Sequence, residues 1–253
     1  KLSVFEYLQA AIKFGGYENN TLSIILKNDY MRGWLVKQHE TTLNSAAQIV
    51  FGPEVKISYD VALVVGTRPN FIKAAPLVKY FESNNLDVLF IHTGQHWDKN
   101  LSGNIFTDLE LREPDINLET PLDGMNHQLS YMIKSLDTTL SKCSVPRVGV
   151  FGDVTSTLAA ALVTKNRDLE LFHVESGLRS RNLNMPEERN RLAVDTISDY
   201  LFTPSDDAVK NLLDENIGKE KIFNVGNIMI DTLKANLDKI QNSKNTVIDE
   251  LGI

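Results

Sequence analysis

Residues 61–70 read Val-Ala-Leu-Val-Val-Gly-Thr-Arg-Pro-Asn, and this stretch decides the fold. Five consecutive apolar residues are too few for a membrane helix and are typical of a strand that is buried on both faces. Gly66 then ends the strand, and Pro69 suits the first turn of a following helix. A buried strand that leads directly into a helix is the opening unit of a parallel α/β sheet.

The same alternation of apolar strands and amphipathic helices continues along the chain. It predicts an α/β fold with a doubly wound parallel sheet that is covered by helices on both faces. The predicted strands lie near 61–65, 87–92, 115–118, 146–151, 169–174, 199–203 and 221–225. The predicted helices lie near 70–82, 98–109, 126–141, 154–165, 187–197, 205–214 and 228–241.

The first sixty residues follow a different pattern. A β-prone run at 21–26 precedes a helical pattern over 28–50, and an alternating strand follows at 55–59. We therefore predict a small α+β module at 1–60 that precedes a doubly wound domain at 61–253. No Gly/Ser/Pro-rich linker separates the two.

Composition excludes several classes of function. The 253 residues carry a net charge of −7, and the acidic excess lies entirely in residues 61–253, which leaves no basic face for nucleic acid. No apolar run approaches the roughly 20 residues of a membrane helix, and no signal peptide opens the chain. The single cysteine, Cys143, excludes an internal disulfide, and no histidine pair has the spacing of a metal site. We therefore expect a cytoplasmic chain that binds neither a metal nor a membrane.

Polar residues follow the ends of four predicted strands. In a doubly wound sheet, ligands bind beyond the carboxyl ends of the strands. We call the segments that directly follow these strands the strand exits. They read Gly66-Thr67-Arg68-Pro69-Asn70, Thr93-Gly94-Gln95-His96, Gly152-Asp153 and Glu175-Ser176-Gly177-Leu178-Arg179. Loops are often polar, but four such exits in succession favour a ligand site at this edge of the sheet.

Three charged residues at these exits each allow two interpretations. Arg68 lies beside a helix N-terminus, where it either binds an anion or pairs with a nearby carboxylate. Asp153 either takes part in chemistry or caps the helix that begins near Val154, as aspartate commonly does. Glu175 ends a buried strand, where it is either a base activated by desolvation or a partner in an ordinary salt bridge.

The segment Pro186-Glu187-Glu188-Arg189-Asn190-Arg191 is dense in charge and begins a predicted helix. Acidic residues in a first turn suit the helix dipole, so a solvated helix end is one interpretation. Glu187 and Arg191 are four residues apart and share one face. If that face points at the cleft, they direct an acid and a cation at the same ligand.

Together these motifs resemble the non-hydrolysing UDP-N-acetylglucosamine 2-epimerases. Each motif alone is weak, whereas the ordered set is specific, and it covers essentially all of residues 61–241. The matching segments are Gly66-Thr67-Arg68-Pro69, Thr93-Gly94-Gln95-His96, Gly152-Asp153, the run from His173 to Ser180, Met185-Pro186-Glu187-Glu188 with Asn190-Arg191, and Val225-Gly226-Asn227.

The resemblance implies a fold, a chemistry and a set of site residues. It implies a Rossmann-like half of a GT-B fold and inversion of sugar carbon 2 by elimination and re-addition of UDP, without a cofactor. By position, it implies that the catalytic carboxylates are Asp153, Glu175 and Glu187. It implies that the residues that bind the UDP-sugar are Arg68, Gln95, His96, Arg179 and Arg191. Which carboxylate removes the proton stays open.

The sequence departs from the family pattern at three points. Val154 stands where a polar residue is usual, and Ser176 stands where alanine is usual. The family's second domain, which supplies further uridine and diphosphate contacts, begins about where this chain ends. We therefore expect weak UDP-sugar binding and no turnover by the chain alone. The resemblance also implies a homodimer, and a GT-B-like glycosyltransferase half is the alternative enzyme.

Residues 4–59 resemble the amino-terminal interaction domain of the bacterial replication initiator DnaA, without that family's first helix. The resemblance rests on Leu-Ser-Ile-Ile-Leu at 22–26, Asn-Asp-Tyr-Met-Arg-Gly-Trp-Leu at 28–35, and the helical pattern that follows. It implies a protein partner for residues 1–60 and, as an alternative function, a non-catalytic protein that recruits a replication partner. An unrelated small α+β extension is the other interpretation.

Overall fold

The computed structural model of the chain describes residues 12–18, 21–26, 56–95, 106–121 and 123–242. Within these ranges the strands are β1 (Ile12–Glu18), β2 (Thr21–Leu26), β3 (Lys56–Ser58), β4 (Val61–Val65), β5 (Val88–His92), β6 (Ile116–Asn117), β7 (Cys143–Ser144), β8 (Arg147–Phe151), β9 (Glu170–Val174), β10 (Tyr200–Thr203) and β11 (Ile222–Asn224). The helices are α1 (Arg68–Ser83), α2 (Met125–Ser141), α3 (Thr155–Asn166), α4 (Pro186–Ile197), α5 (Asp206–Asp214) and α6 (Ile228–Asn242). None of the helices in the described ranges combines the length and the apolar character that crossing a bilayer requires.

Seven strands form one sheet in the order β11-β10-β9-β8-β4-β5-β6. All six pairings between neighbours are parallel. The predicted doubly wound α/β fold is therefore confirmed, and the predicted bounds of the strands and of α1 to α6 differ from the observed ones by at most two residues. Of the helix predicted at 98–109, the structure describes only the last residues, and 106–108 are helical.

Apolar side chains of the central strands face both sides of the sheet. On β4, Ala62 and Val64 pack into a core cluster with residues of α2 and α3, whereas Leu63 and Val65 pack into a second cluster with residues of α1. Because successive side chains of a strand point to opposite faces, a strand that is covered on both faces must be apolar throughout. This explains the unbroken apolar run that opens the domain.

The direction in which successive strands are added to the sheet reverses at β4. From β4 the sheet continues through β5 to β6 in one direction, while β8, β9, β10 and β11 follow in the other. The carboxyl ends of β4 and β8 therefore flank the topological switch point, where open α/β sheets bind their ligands. The turns at this point are Gly66–Asn70 and Gly152–Asp153.

A second sheet has the order β1-β2-β3-β7. β1 and β2 form an antiparallel hairpin, and the pairings of β2 with β3 and of β3 with β7 are parallel. The sequence predicted β2 and β3 but missed β1, whose paired glycines are unfavourable in strands, and β7, which has only two residues. The helical pattern over 28–50 lies outside the described residues, so the module at 1–60 stays a prediction. Because β7 belongs to the later part of the chain, this sheet contains residues from both sides of position 60.

Candidate functional site

Four charged side chains meet at the carboxyl ends of β8 and β9. Nζ of Lys73 on α1 lies 2.6 Å from Oε1 of Glu175, the first residue after β9. Nη2 of Arg191 on α4 lies 2.6 Å from Oδ2 of Asp153 and 3.5 Å from Oε1 of Glu175. We call these four residues the charged cluster. It contains two cations and two carboxylates, so it is neutral as a unit, and it unites Asp153, Glu175 and Arg191 from three separate sequence motifs.

The charged cluster is largely removed from solvent. The side chains of Arg191, Lys73 and Glu175 are 6%, 9% and 14% exposed, whereas that of Asp153 is 31% exposed. Because water screens these pairs only in part, they hold the side chains in place more firmly than surface ion pairs do. Asp153 is the member of the cluster that is most accessible to a ligand.

Glu175 has an unusual backbone conformation. Its φ angle is 68°, in the left-handed region that residues other than glycine rarely adopt. The backbone N–H groups of Glu175 and Ser176 both donate to the carbonyl oxygen of Phe202 at 3.1 Å. Arg191 also donates to the backbone carbonyl of Glu175. Such a conformation costs about 1–3 kcal/mol and is typical of functional sites, where surrounding contacts maintain it.

Asp153 does not cap the helix that follows it. α3 begins at Thr155 with Val154 as its N-cap residue, so the N-cap interpretation is wrong. The Asp153 carboxylate instead pairs with Arg191, and its backbone carbonyl accepts a hydrogen bond from Nδ2 of Asn190 at 2.9 Å. Both contacts come from α4, which therefore sets the position of this carboxylate.

Arg68 and Glu187 lie in the first turns of α1 and α4, and both are exposed. Neither side chain forms an ion pair or a hydrogen bond with any residue in the described part of the chain. Arg191 does not pair with Glu187, although the two share a helix face, because Arg191 binds Asp153 and Glu175 instead. One cation and one carboxylate, on the helices that carry Lys73 and Arg191, thus remain available to a ligand.

Gln95 is buried and contacts the beginning of α3. Its Oε1 accepts hydrogen bonds from the backbone N–H of Ser156 at 2.9 Å and from the Ser156 hydroxyl at 2.6 Å. Oγ1 of Thr93 lies 2.7 Å from the same hydroxyl. Because Ser156 is in the first turn of α3, Gln95 satisfies a backbone donor that the helix itself leaves open. His96 lies outside the described residues.

Arg179 is enclosed by two carboxylates. Its Nη1 lies 2.7 Å from Oδ2 of Asp195, and its Nε and Nη2 lie 2.7 and 2.6 Å from the two oxygens of Glu215. The Arg179 side chain is 4% exposed. In this structure its charge is compensated within the protein, and its predicted contact with a UDP-sugar stays a prediction.

Glu188 is buried, unlike its neighbour Glu187. Its carboxylate accepts hydrogen bonds from the backbone N–H and the hydroxyl of Ser180 and from the backbone N–H of Arg181. Burial raises the pKa of Glu188, but these hydrogen bonds and the nearby Arg179 outweigh it and hold the pKa below its ordinary value of 4.5. Glu188 therefore shapes the loop before α4.

Sequence reasoning missed the roles of Lys73 and Asn70. Oδ1 of Asn70 accepts from the backbone N–H groups of Gly66 and Thr67, and its Nδ2 donates to the carbonyl of Phe151 on β8. Asn70 therefore joins the exits of β4 and β8. Lys73 follows one turn later on the buried face of α1. A lysine among the apolar residues of this helix face, one turn after a polar strand exit, is a signal that could have identified it.

No group of three His, Cys, Asp or Glu side chains in the described ranges is arranged to hold a metal ion. The charged cluster is thus a site of carboxylates compensated by side-chain cations. Such a site can move protons at a ligand and can balance the charge of an anionic ligand.

Comparison with known proteins finds that the chain is similar to proteins named as UDP-sugar 2-epimerases. The family model described as UDP-N-acetylglucosamine 2-epimerase matches residues 79–251. The UDP-N-acetylglucosamine 2-epimerase of Methanocaldococcus jannaschii is 39% identical over 185 residues, which are 73% of this chain and 50% of that protein. The UDP-2,3-diacetamido-2,3-dideoxy-D-glucuronate 2-epimerase of Pseudomonas aeruginosa is 38% identical over 175 residues, which are 68% of this chain and 49% of that protein.

Solved structures agree with these sequence matches. The M. jannaschii UDP-GlcNAc 2-epimerase in complex with UDP-GlcNAc and UDP superposes with a TM-score of 0.71 at 39% identity, covering 74% of this chain and 51% of that chain. The Neisseria meningitidis UDP-GlcNAc 2-epimerase bound to UDP-GlcNAc has a TM-score of 0.69 at 31% identity, covering 76% of this chain and 52% of that chain. The chain spans about half the length of the curated relatives that it matches.

Proposed function

Because the chain belongs to the UDP-N-acetylglucosamine 2-epimerase family, we propose that residues 61–253 are the half of a UDP-sugar 2-epimerase that carries its acid–base carboxylates. The observation that carries this proposal is the charged cluster, which lies at the carboxyl ends of β8 and β9, next to the topological switch point. Ion pairs hold two carboxylates of the cluster close together there, and the helices that carry its two cations also carry the exposed Arg68 and Glu187 in their first turns.

The proposed reaction needs acid–base groups and cations but no redox partner. A base removes the proton from carbon 2, the bond between carbon 1 and the UDP oxygen breaks, and a double bond forms between the two carbons. UDP then adds back to carbon 1 while an acid delivers a proton to the opposite face of carbon 2. All atoms are conserved, so the overall reaction is an isomerisation. The carbanion-like and diphosphate charges require positioned acids, bases and cations.

The residues of this chain can supply these groups. Glu175 forms an ion pair with Lys73, which fixes the position of a side chain that can exchange a proton with a ligand. Asp153 is the accessible carboxylate on the other side of Arg191, and Glu187 is a third. We assign proton transfer to this set without dividing the roles of base and acid among its members.

Arg68 is suited to the diphosphate. The charged cluster is neutral by itself, so Lys73 and Arg191 have their charges compensated within the protein. Arg68 is exposed, makes no ion pair with the described residues, and lies at the first position of α1. A helix N-terminus and a free guanidinium together favour a phosphate group.

We propose UDP-N-acetylglucosamine as the first substrate to test, because the M. jannaschii and N. meningitidis relatives are named for it. A relative of nearly equal identity is named for UDP-2,3-diacetamido-2,3-dideoxy-D-glucuronate. Both names describe UDP-linked amino sugars that are epimerised at carbon 2. We expect the chain alone to bind such a compound weakly and to need residues equivalent to the relatives' second half for turnover.

Proton NMR in deuterated buffer tests the function directly. The purified chain is incubated with each of the two UDP-sugars, alone and with the carboxyl-terminal half of the M. jannaschii relative supplied in trans. Deuterium at carbon 2 and appearance of the second epimer only in the supplemented sample would support the proposal. Absence of exchange in both samples, while the added half demonstrably binds the chain, would contradict it.

We further infer that residues 1–60 recruit a protein partner and that the chain forms a homodimer. Support for the first comes from the resemblance of residues 4–59 to an interaction domain, and support for the second from the resemblance of residues 61–241 to the epimerases. Sedimentation of the full chain tests the dimer. Capture of a purified replicative helicase by the full chain, compared with a variant that lacks residues 1–55, tests the partner.

A further inference from the structure

His173 lies beside the charged cluster without belonging to it. It is on β9, two residues before Glu175, and its side chain is fully buried. Nε2 of its ring lies 2.7 Å from the carbonyl oxygen of Gly152, and Nδ1 lies 2.7 Å from Oδ1 of Asp195 on α4. The ring thus connects α4 with the residue that immediately precedes Asp153.

The two partners of the ring determine where its protons lie. A carbonyl oxygen only accepts hydrogen bonds, so Nε2 must donate. The other oxygen of Asp195, Oδ2, accepts from the backbone N–H of Gly177 at 3.0 Å and lies 2.7 Å from Nη1 of Arg179. Burial raises the pKa of Asp195, but the charges and hydrogen bonds of His173 and Arg179 hold it below its ordinary value. The carboxylate of Asp195 therefore lies against the Nδ1 edge of the same ring whose Nε2 donates to Gly152.

A chain of ion pairs holds Asp195 against the ring. Asp195 faces the ring from α4, Arg179 faces Asp195 from the loop after β9, and Glu215 faces Arg179 from the end of α5. Because a buried charge without a partner is costly, the pairing with Arg179 accounts for a carboxylate in the core beside His173.

Gly152 depends on β9 for both of its backbone polar groups. Its N–H donates to the carbonyl of Val174 at 3.0 Å, and its carbonyl accepts from His173. Its φ angle is 64°, and a Cβ atom at this position would lie 3.2 Å from Nζ of Lys73. The orientation of this one peptide sets the direction in which Asp153 leaves the sheet.

We propose that His173 is a positioning residue for Asp153. Held by Asp195, the ring fixes the Gly152 carbonyl and thereby the backbone that directs the Asp153 carboxylate at Arg191. The significance for turnover rests on the proposed function, whereas the geometry does not involve a substrate. Displacements of about 1 Å at a reacting group are enough to lower rates by about 100-fold, so such support matters.

NMR spectroscopy of the full chain without substrate tests the proposal. In a chain labelled with ¹⁵N-histidine and ¹³C-aspartate, His173 should show a proton on Nε2, the nitrogen that faces the Gly152 carbonyl. His173→Phe, which removes both donors, should shift the carboxyl-carbon resonance of Asp153. His173→Gln keeps an amide donor near the position of Nε2 and should restore that resonance most of the way.

His92→Phe is the matched control, because His92 is a second fully buried strand histidine but lies on β5, where it contacts Asn117. This variant should leave the Asp153 resonance unchanged. An Nε2 of His173 without a proton, or an Asp153 resonance that is identical in His173→Phe and the wild type, would overturn the proposal. If His173→Phe does not fold, Asp195→Asn replaces it, and an unshifted Asp153 resonance there overturns the proposal equally. None of these readouts uses a UDP-sugar, so a failure of the proposed reaction would leave them unchanged.

Discussion

Nζ of Lys73 lies 2.6 Å from Oε1 of Glu175, although 102 positions separate the two residues. Lys73 comes from the helix after the first strand of the large sheet, and Glu175 comes from the exit of β9. Only the parallel order of the sheet brings these two elements to the same edge. The pair supplies a compensated carboxylate at the place where the proposed chemistry requires one.

Lys73→Met should destabilise the fold by roughly 3 kcal/mol. The substitution keeps the length of the side chain but leaves Glu175, which is 14% exposed, with only the longer 3.5 Å contact to Arg191. Removing one partner of a buried ion pair costs about 3–5 kcal/mol, and the residual exposure places this pair at the lower end of that range. Urea unfolding at pH 7 measures the change. The double variant Lys73→Met/Glu175→Gln should lose less than the sum of the single losses, and strict additivity would contradict a direct pairing.

Asp153→Asn and Glu175→Gln should each slow proton exchange at carbon 2 by about 100-fold or more while leaving the chain folded. Each change removes an acid–base group at nearly constant volume, and such groups contribute about 10²–10⁴-fold to rate. The measurement is deuterium incorporation by the chain supplemented with the relatives' second half. Asp137→Asn is the control, since Asp137 is an exposed carboxylate that pairs with Arg167 on the outer surface. If all three variants incorporate deuterium at the same rate, Asp153 and Glu175 take no part in the proton transfer.

The sheet could be predicted from sequence because its signal is local. Each buried strand is a continuous apolar run, and each helix shows its own periodicity, so the order and the bounds of these elements required no long-range information. β1 was missed because Gly15 and Gly16 oppose a strand that pairing with β2 nevertheless stabilises. The exits of the strands could likewise be placed at one edge, since parallel strands share their direction.

The partners at that edge could not be predicted, because they depend on distances between elements. A local rule predicts that Asp153 caps the next helix, but Arg191, 38 positions later, offers a stronger ionic partner. Arg179 has the type and position of a ligand-binding cation, yet Asp195 and Glu215 enclose it. Sequence therefore named three of the four residues of the charged cluster, but it could not show that Arg179 is compensated within the protein while Arg68 is not.

Arg68→Met and Arg179→Met should affect different properties of the chain: the first should weaken the binding of UDP, and the second should destabilise the fold. Arg68 is exposed and unpaired within the described structure, so its loss should change the free energy of unfolding by less than about 0.5 kcal/mol. It should weaken binding of UDP by about tenfold or more, because a charged hydrogen bond contributes about 1.5–3 kcal/mol. Loss of Arg179 should destabilise the fold by roughly 3 kcal/mol, since Asp195 stays buried without it. Urea unfolding measures the free energy of unfolding, and an NMR titration measures the affinity for UDP. If both variants lost the same amount of stability and of affinity, the two arginines would not have the separate roles that we assign to them.

As the pH falls, Glu188→Gln should lose less of its free energy of unfolding than the wild type does. The pKa of Glu188 is held below its ordinary value of 4.5 in the folded chain. A depressed carboxyl pKa stabilises the fold above the unfolded value, and that contribution disappears as the pH falls through the folded value. The wild type should therefore exceed Glu188→Gln in stability by a constant amount above about pH 5.5, and the difference should shrink below about pH 4.5. Urea unfolding at a series of pH values across this range measures the difference in the free energy of unfolding between the two chains.

Ser176→Ala should stabilise the chain by about 1 kcal/mol. The Ser176 hydroxyl is fully buried and has no hydrogen-bond partner among the residues that the structure describes. A buried polar group without a partner costs about 1–3 kcal/mol of desolvation, and alanine fills nearly the same space without that group. Ser198→Ala is the matched control, because its equally buried hydroxyl donates to the carbonyl of Val194 at 2.7 Å. That variant should lose about 1 kcal/mol instead. Thermal unfolding of the two variants should shift in opposite directions by about 2–4 °C, and a loss of stability in both would show that the Ser176 hydroxyl has a stabilising contact.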